Sequence, residues 1–91
     1  MSATVRVPTT LRTLTAGASE VTVDGATVSD VLTGLEAVHP GFKAKLLDGD
    51  GKLQRFVNVF VADDDVRFLE GLETKVPDGE TVSIIPAVAG G

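Results

Sequence analysis

Thr81-Val82-Ser83-Ile84-Ile85-Pro86-Ala87-Val88-Ala89-Gly90-Gly91 is the last stretch of a 91-residue chain, and its two halves are unlike. From Thr81 to Ile85, Val82 and Ile84 alternate with Thr81 and Ser83, the period of a strand with one buried face. Pro86 has no N–H to offer a neighbouring strand, so ladder pairing is expected to end there. The second half, Ala87 to Gly91, is small, neutral and finished by two glycines, which have little conformational preference. Glycine pairs also occur in linkers, but here the pair follows a strand and a proline directly. The expectation is a domain over 1–86 feeding a flexible tail over 87–91. Fully extended, that tail reaches about 17 Å. With no side chain on Gly90 or Gly91, it can thread a channel that a larger residue would block.

The reactive group on such an arm is the α-carboxylate of Gly91. Its ordinary pKa of about 3.3–3.7 leaves it ionised at neutral pH and a poor electrophile. Acyl chemistry there requires activation by a partner enzyme, for instance adenylation.

Upstream, Asp78-Gly79 is a tight-turn signal leading into the last strand. The clearest strand runs from Arg55 to Ala62, with Val57, Val59 and Val61 on one face and Phe56, Asn58 and Phe60 on the other. Asp63-Asp64-Asp65 turns the chain and guards a sheet edge. Val66 to Leu69 is expected as a short edge strand, and Gly71-Leu72 as a turn. Further back, Ala3 to Pro8 and Glu20 to Val23 alternate as strands, with Val5, Val7, Val21 and Val23 facing inward. Thr9 to Ala18 between them reads as a loop punctuated by Leu11 and Leu14. Thr27, with Asp30 three residues on, starts a helix in the manner of a capping box. Val28, Val31, Leu32, Leu35 and Val38 make one apolar stripe on it. Gly34 in that helix suggests close approach to the sheet, and His39-Pro40-Gly41 ends it. Phe42 to Leu47 is a short helical turn over one end of the core. One helix on one mixed sheet gives an α+β, two-layer domain.

Composition narrows the functions. The chain is 43% hydrophobic and has no cysteine, which excludes disulfides, thiolate catalysis and cysteine-ligated metals. Thirteen acids against eight bases give a net charge of −5. With no basic cluster and no Tyr or Trp, nucleic acid is not the expected partner. Neither a secretory h-region nor a membrane-spanning stretch is present, so a cytoplasmic protein is expected. No metal site is expected. Asp48-Gly49-Asp50-Gly51 fails as a calcium loop, because Lys52 and Val59 stand where ligands are needed. His39 has no nucleophile partner by spacing and is read as a helix-end residue. The chain is not expected to be an enzyme by itself.

Phe56, Asn58 and Phe60 are the candidate partner surface. They either present aromatic rings from the sheet face opposite the helix, or lie under Leu11, Leu14 or the Phe42–Leu47 segment. The tract from Asp63 to Glu80 carries seven acids against Arg67 and Lys75. It either steers a basic partner or only keeps the chain soluble.

The strand order, the Asp78-Gly79-Glu80 turn, the Val82-Ser83-Ile84-Ile85-Pro86 strand and the Ala87-Val88-Ala89-Gly90-Gly91 ending resemble the ubiquitin-like sulfur carriers of the MoaD/ThiS type. Pro8-Thr9-Thr10-Leu11-Arg12, Arg55-Phe56-Val57-Asn58-Val59 and Asp64-Asp65-Val66-Arg67-Phe68 look most like the cysteine-forming subgroup called CysO. The chain departs at Ala62, where carriers commonly place Asn before the turn. The resemblance implies a β-grasp fold with a mixed sheet of four or five strands, the last lying centrally beside the first. It implies that a ubiquitin-activating-like adenylyltransferase uses ATP to adenylate Gly91. A sulfurtransferase then leaves a thiocarboxylate, and the arm from Ala87 to Gly91 threads a sulfur-accepting synthase. In the subgroup that synthase makes cysteine from O-phosphoserine on pyridoxal phosphate, and a metalloprotease releases the product. The carrier itself holds no cofactor stably. The same tail also serves the large subunit of molybdopterin synthase or a thiazole-synthase-like or secondary-pathway enzyme. In a different class, a ubiquitin-like modifier joins Gly91 to lysine by an isopeptide bond, and a noncovalent adaptor dispenses with the tail altogether.

Overall fold

The computed structural model describes residues 2–54 and 57–86. Five strands, β1 (Ser2–Arg6), β2 (Glu20–Asp24), β3 (Val57–Val61), β4 (Asp64–Asp65) and β5 (Glu80–Pro86), form one sheet in the order β2-β1-β5-β3-β4. β5 is parallel to β1 and antiparallel to β3, so the last strand is paired on both sides. This is the expected β-grasp arrangement, with five strands. The tail, 87–91, lies outside the described residues.

The register puts the alternation to use. Val5 stands between Val21 and Val82, Val61 beside Val82 and Val59 beside Ile84, all on one face. Against that face packs α1 (Val28–Val38), whose Val28, Val31, Leu32 and Leu35 are buried. Phe42 and Leu46 of α2 (Phe42–Leu46) close one end of the same core. Cross-strand apolar pairs in register are what fix which face of a sheet is buried.

Caps mark the ends of α1. The Thr27 hydroxyl accepts the Asp30 N–H at 3.2 Å, and His39 is the C-terminal cap, its N–H on the Leu35 carbonyl at 2.8 Å. A Cβ added at Gly34 would lie 3.2 Å from the Asp24 carbonyl and 3.4 Å from Val23 Cβ, so the helix does run close against β2. Glu36 then fastens the next helix by accepting the N–H groups of Gly41 and Lys43 at 3.0 and 2.8 Å, and these bonds hold its carboxyl below the usual range.

Several expectations need correction. Thr9–Thr15 is a 3-10 helix rather than a loop, and it packs Leu11 and Leu14 onto the core. Val38, the last residue of α1, is 57% exposed and does not join the buried stripe. The edge strand is Asp64–Asp65. Val66–Phe68 is instead a 3-10 turn, because the Asp65 carboxylate accepts the Arg67 N–H at 2.9 Å and caps it. Gly71-Leu72 belongs to a further 3-10 turn, Gly71–Glu73. Pro86 stands opposite Val57, so pairing runs one residue beyond Ile85.

Candidate functional site

The strand that leads to Gly90-Gly91 is the best anchored in the sheet. β5 pairs with β1 from Glu80 to Ser83 and with β3 from Val82 to Pro86. Its inward residues Val82 and Ile84 are buried, whereas Ile85 is 48% exposed. The arm's root is therefore fixed, and its last outward side chain is apolar and open to solvent. Ala87, Val88, Ala89, Gly90 and Gly91 lie outside the described residues.

Of the expected partner surface, Phe56 also lies outside the described residues. Asn58 and Phe60 are half-buried on the sheet face opposite α1. Leu11, Leu14 and Leu47 pack on the core cluster, and Phe42 and Leu46 lie within it, which puts them on the helix side. In register, Phe60 lies between Ser83 and Asp65, and Ser83 pairs with Arg6, which pairs with Glu20. One row thus crosses all five strands on the outer face. Asn58 is opposite Ile85, next to the arm's root.

Arg67 was not legible as part of this surface. Its guanidinium donates to Asn58 Oδ1 at 2.8 Å and to the Gln54 carbonyl, tying the start of β3 to the turn after β4. A planar fork that reaches two acceptors at once suits arginine and not lysine. On the other side of the root, a groove of about 430 Å³ runs beside Ile84 and Ile85, with Arg6 and Arg12 along it. The Arg12 Nε–H donates to the Val7 carbonyl at 3.2 Å. In a chain of net charge −5, this groove beside the last strand holds two arginines against one acid, Glu20. His39 sits at the end of α1 as its C-terminal cap. Among the described residues no helix is long and apolar enough to cross a membrane.

A family model described as the ThiS family matches residues 5–91. The chain belongs to the ThiS family. It is 48% identical over 93 aligned positions to the sulfur carrier protein CysO of Mycobacterium tuberculosis, with the whole of each chain covered. It superposes with a TM-score of 0.92 on a chain of the crystal structure of the Amycolatopsis orientalis BexX/CysO complex, at 52% identity, covering 98% of this chain and 99% of that one. It is also 44% identical over 68 positions to small archaeal modifier protein 3 of Haloferax volcanii, covering 75% of this chain and 73% of that one. Proteins of this family are small carriers rather than catalysts.

Proposed function

We propose that this chain carries sulfur as a thiocarboxylate on Gly91 and delivers it to a synthase that makes cysteine. An activating enzyme joins a Gly91 carboxylate oxygen to the α-phosphorus of ATP and releases pyrophosphate. Sulfur at the oxidation level of sulfide then attacks the acyl carbon, AMP leaves, and a C–S bond replaces a C–O bond. The thiocarboxylate sulfur next attacks an electrophilic acceptor, for which the subgroup's aminoacrylate on pyridoxal phosphate is the model. A metalloprotease then separates cysteine from the carrier. The reaction belongs in the cytoplasm, where ATP is at hand.

The observation that carries this reading is the full-length similarity to a protein named as a sulfur carrier. The fold supports it: the strand that leads to Gly90-Gly91 is held on both sides. A fixed root and a thin arm bring the thioacid to its acceptor inside a closed site. Proximity of that kind lowers a barrier by as much as about 7–11 kcal/mol in ideal geometry. The test is to supply the full chain with O-phosphoserine, the activating enzyme, ATP, a sulfur donor and the pyridoxal-phosphate synthase. The expected product is the carrier extended by one cysteine. Sulfur transfer only to a pterin or thiazole precursor would move the chain to a different client.

A further inference from the structure

Phe68 is the most exposed large apolar side chain among the described residues, with 87% of its surface open to water, and Leu69 beside it is 48% exposed. They are not on a loose loop. Val66, two residues earlier, is fully buried and anchors the turn from beneath. The Asp65 carboxylate caps the turn, and the Arg67 guanidinium ties it to Asn58 and Gln54. Phe68 is therefore held outward by the three residues that precede it. The neighbouring Arg67 borders a hollow of about 500 Å³ that Lys52, Leu53, Leu72 and Glu73 also line.

The chain segment that carries this knob is net acidic, although Lys52 and Arg67 stand with Glu73 along the hollow. Between residues 63 and 73, five acids against Arg67 leave −4, most of the chain's total of −5. The position is equally specific. Arg67 reaches Asn58, Asn58 faces Ile85, and Ile85 precedes Pro86, so the turn that carries the knob is tied to the strand pair at the Pro86 end of β5.

We infer that Phe68 and Leu69, within this acidic segment, dock the activating enzyme through an apolar pocket rimmed by lysine and arginine, while the arm enters its adenylation site. The inference rests on the sulfur-carrier reading. An enzyme that gathers ATP and a carboxylate at one centre presents a positive field there, which complements the net acidic segment from Asp63 to Glu73. A second copy of this chain does not, since pairing would bring two such segments together. A rigid, exposed aromatic with a charged rim has the form of an interface anchor, in which the ring supplies affinity and the charges supply encounter rate.

The test measures thiocarboxylate formation by the activating enzyme, with ATP and a sulfide source, over a range of carrier concentrations. It compares the full chain with Phe68→Ala and with the double variant Glu70→Lys, Glu73→Lys. Phe68→Ala is expected to raise KM by about tenfold or more with kcat unchanged. The charge reversal is expected to raise KM most at low salt, the gap narrowing as salt screens the segment. A KM for Phe68→Ala within about twofold of the wild type, with the wild type turned over normally, overturns the docking inference and leaves sulfur carriage standing. A wild-type chain that the enzyme never adenylates overturns both. Dimerisation of the free chain that Phe68→Ala abolishes assigns the face to a second copy and also overturns the inference.

Discussion

Asp78 holds Ser2 from both ends of one residue: its carboxylate accepts the Ser2 N–H at 2.8 Å, and the N–H of the adjacent Gly79 donates to the Ser2 carbonyl at 2.7 Å. These bonds fasten the start of β1 to the turn that begins β5, where the two central parallel strands enter the sheet side by side. Gly79, at φ 81°, supplies the backbone turn that brings its own N–H round.

The Ser2 N–H holds the Asp78 carboxyl below its usual range, assisted by the Ser2 hydroxyl and opposed by some loss of solvation. A depressed folded-state pKa favours the folded state above the unfolded value and loses that advantage as pH falls through the folded one. Asp78→Asn is therefore expected to lower the urea midpoint at pH 7. The gap from wild type should narrow below about pH 4 and close once Asp78 is protonated. A gap that stays constant over that range would show that the carboxylate charge contributes nothing.

Leu35 is fully buried at the centre of the α1 stripe. Leu35→Ala is expected to cost about 2–5 kcal/mol, lowering Tm by roughly 10–25 °C in a domain of this size. Thermal unfolding followed by circular dichroism reads this directly, and an unchanged Tm would mean that the helix face is misplaced.

Ala62 occupies the left-handed region, at φ 57°, in the turn between β3 and β4, with its N–H on the Thr81 carbonyl at 2.9 Å. A residue with a Cβ is disfavoured there, and Asn is the side chain that best tolerates it after Gly. Ala62→Asn is expected to stabilise the chain by about 0.5–1 kcal/mol, measured as a higher denaturant midpoint with an unchanged slope.

The core was legible because its period is simple. Val57, Val59 and Val61 at every second position, and Val28, Val31, Leu32 and Leu35 at helical spacing, each specify one face, and the register joins those faces. The Thr27 cap and the approach at Gly34 were readable for the same reason, since each depends on local geometry. The segment after β4 was not. Val66-Arg67-Phe68-Leu69 has the composition of a strand, and only the Asp65 cap and the reach of Arg67 to Asn58 and Gln54 decide otherwise. Those contacts span up to 13 residues, beyond the range of any local pattern. The exposure of Phe68 follows from the same turn, because in a strand alternating with buried Val66 it would have pointed inward.

Gly90→Val tests the expectation of a narrow arm. Thermal stability is expected to stay within about 0.5 kcal/mol of the wild type, as for a substitution outside the core. Adenylation should fall by about a hundredfold, because a β-branched side chain shifts the carboxylate out of line with the nucleotide. Normal adenylation of this variant would remove the steric reason for the glycine pair.

The most direct measurement is the intact mass of the full chain after incubation with the activating enzyme, ATP and a sulfur donor, with fragmentation to locate the change. Sulfur carriage predicts one oxygen replaced by sulfur at Gly91, and no such product from a chain lacking Gly90 and Gly91. High-mass conjugates through lysine without any thiocarboxylate, or sulfur transfer that survives loss of the two glycines, would contradict it.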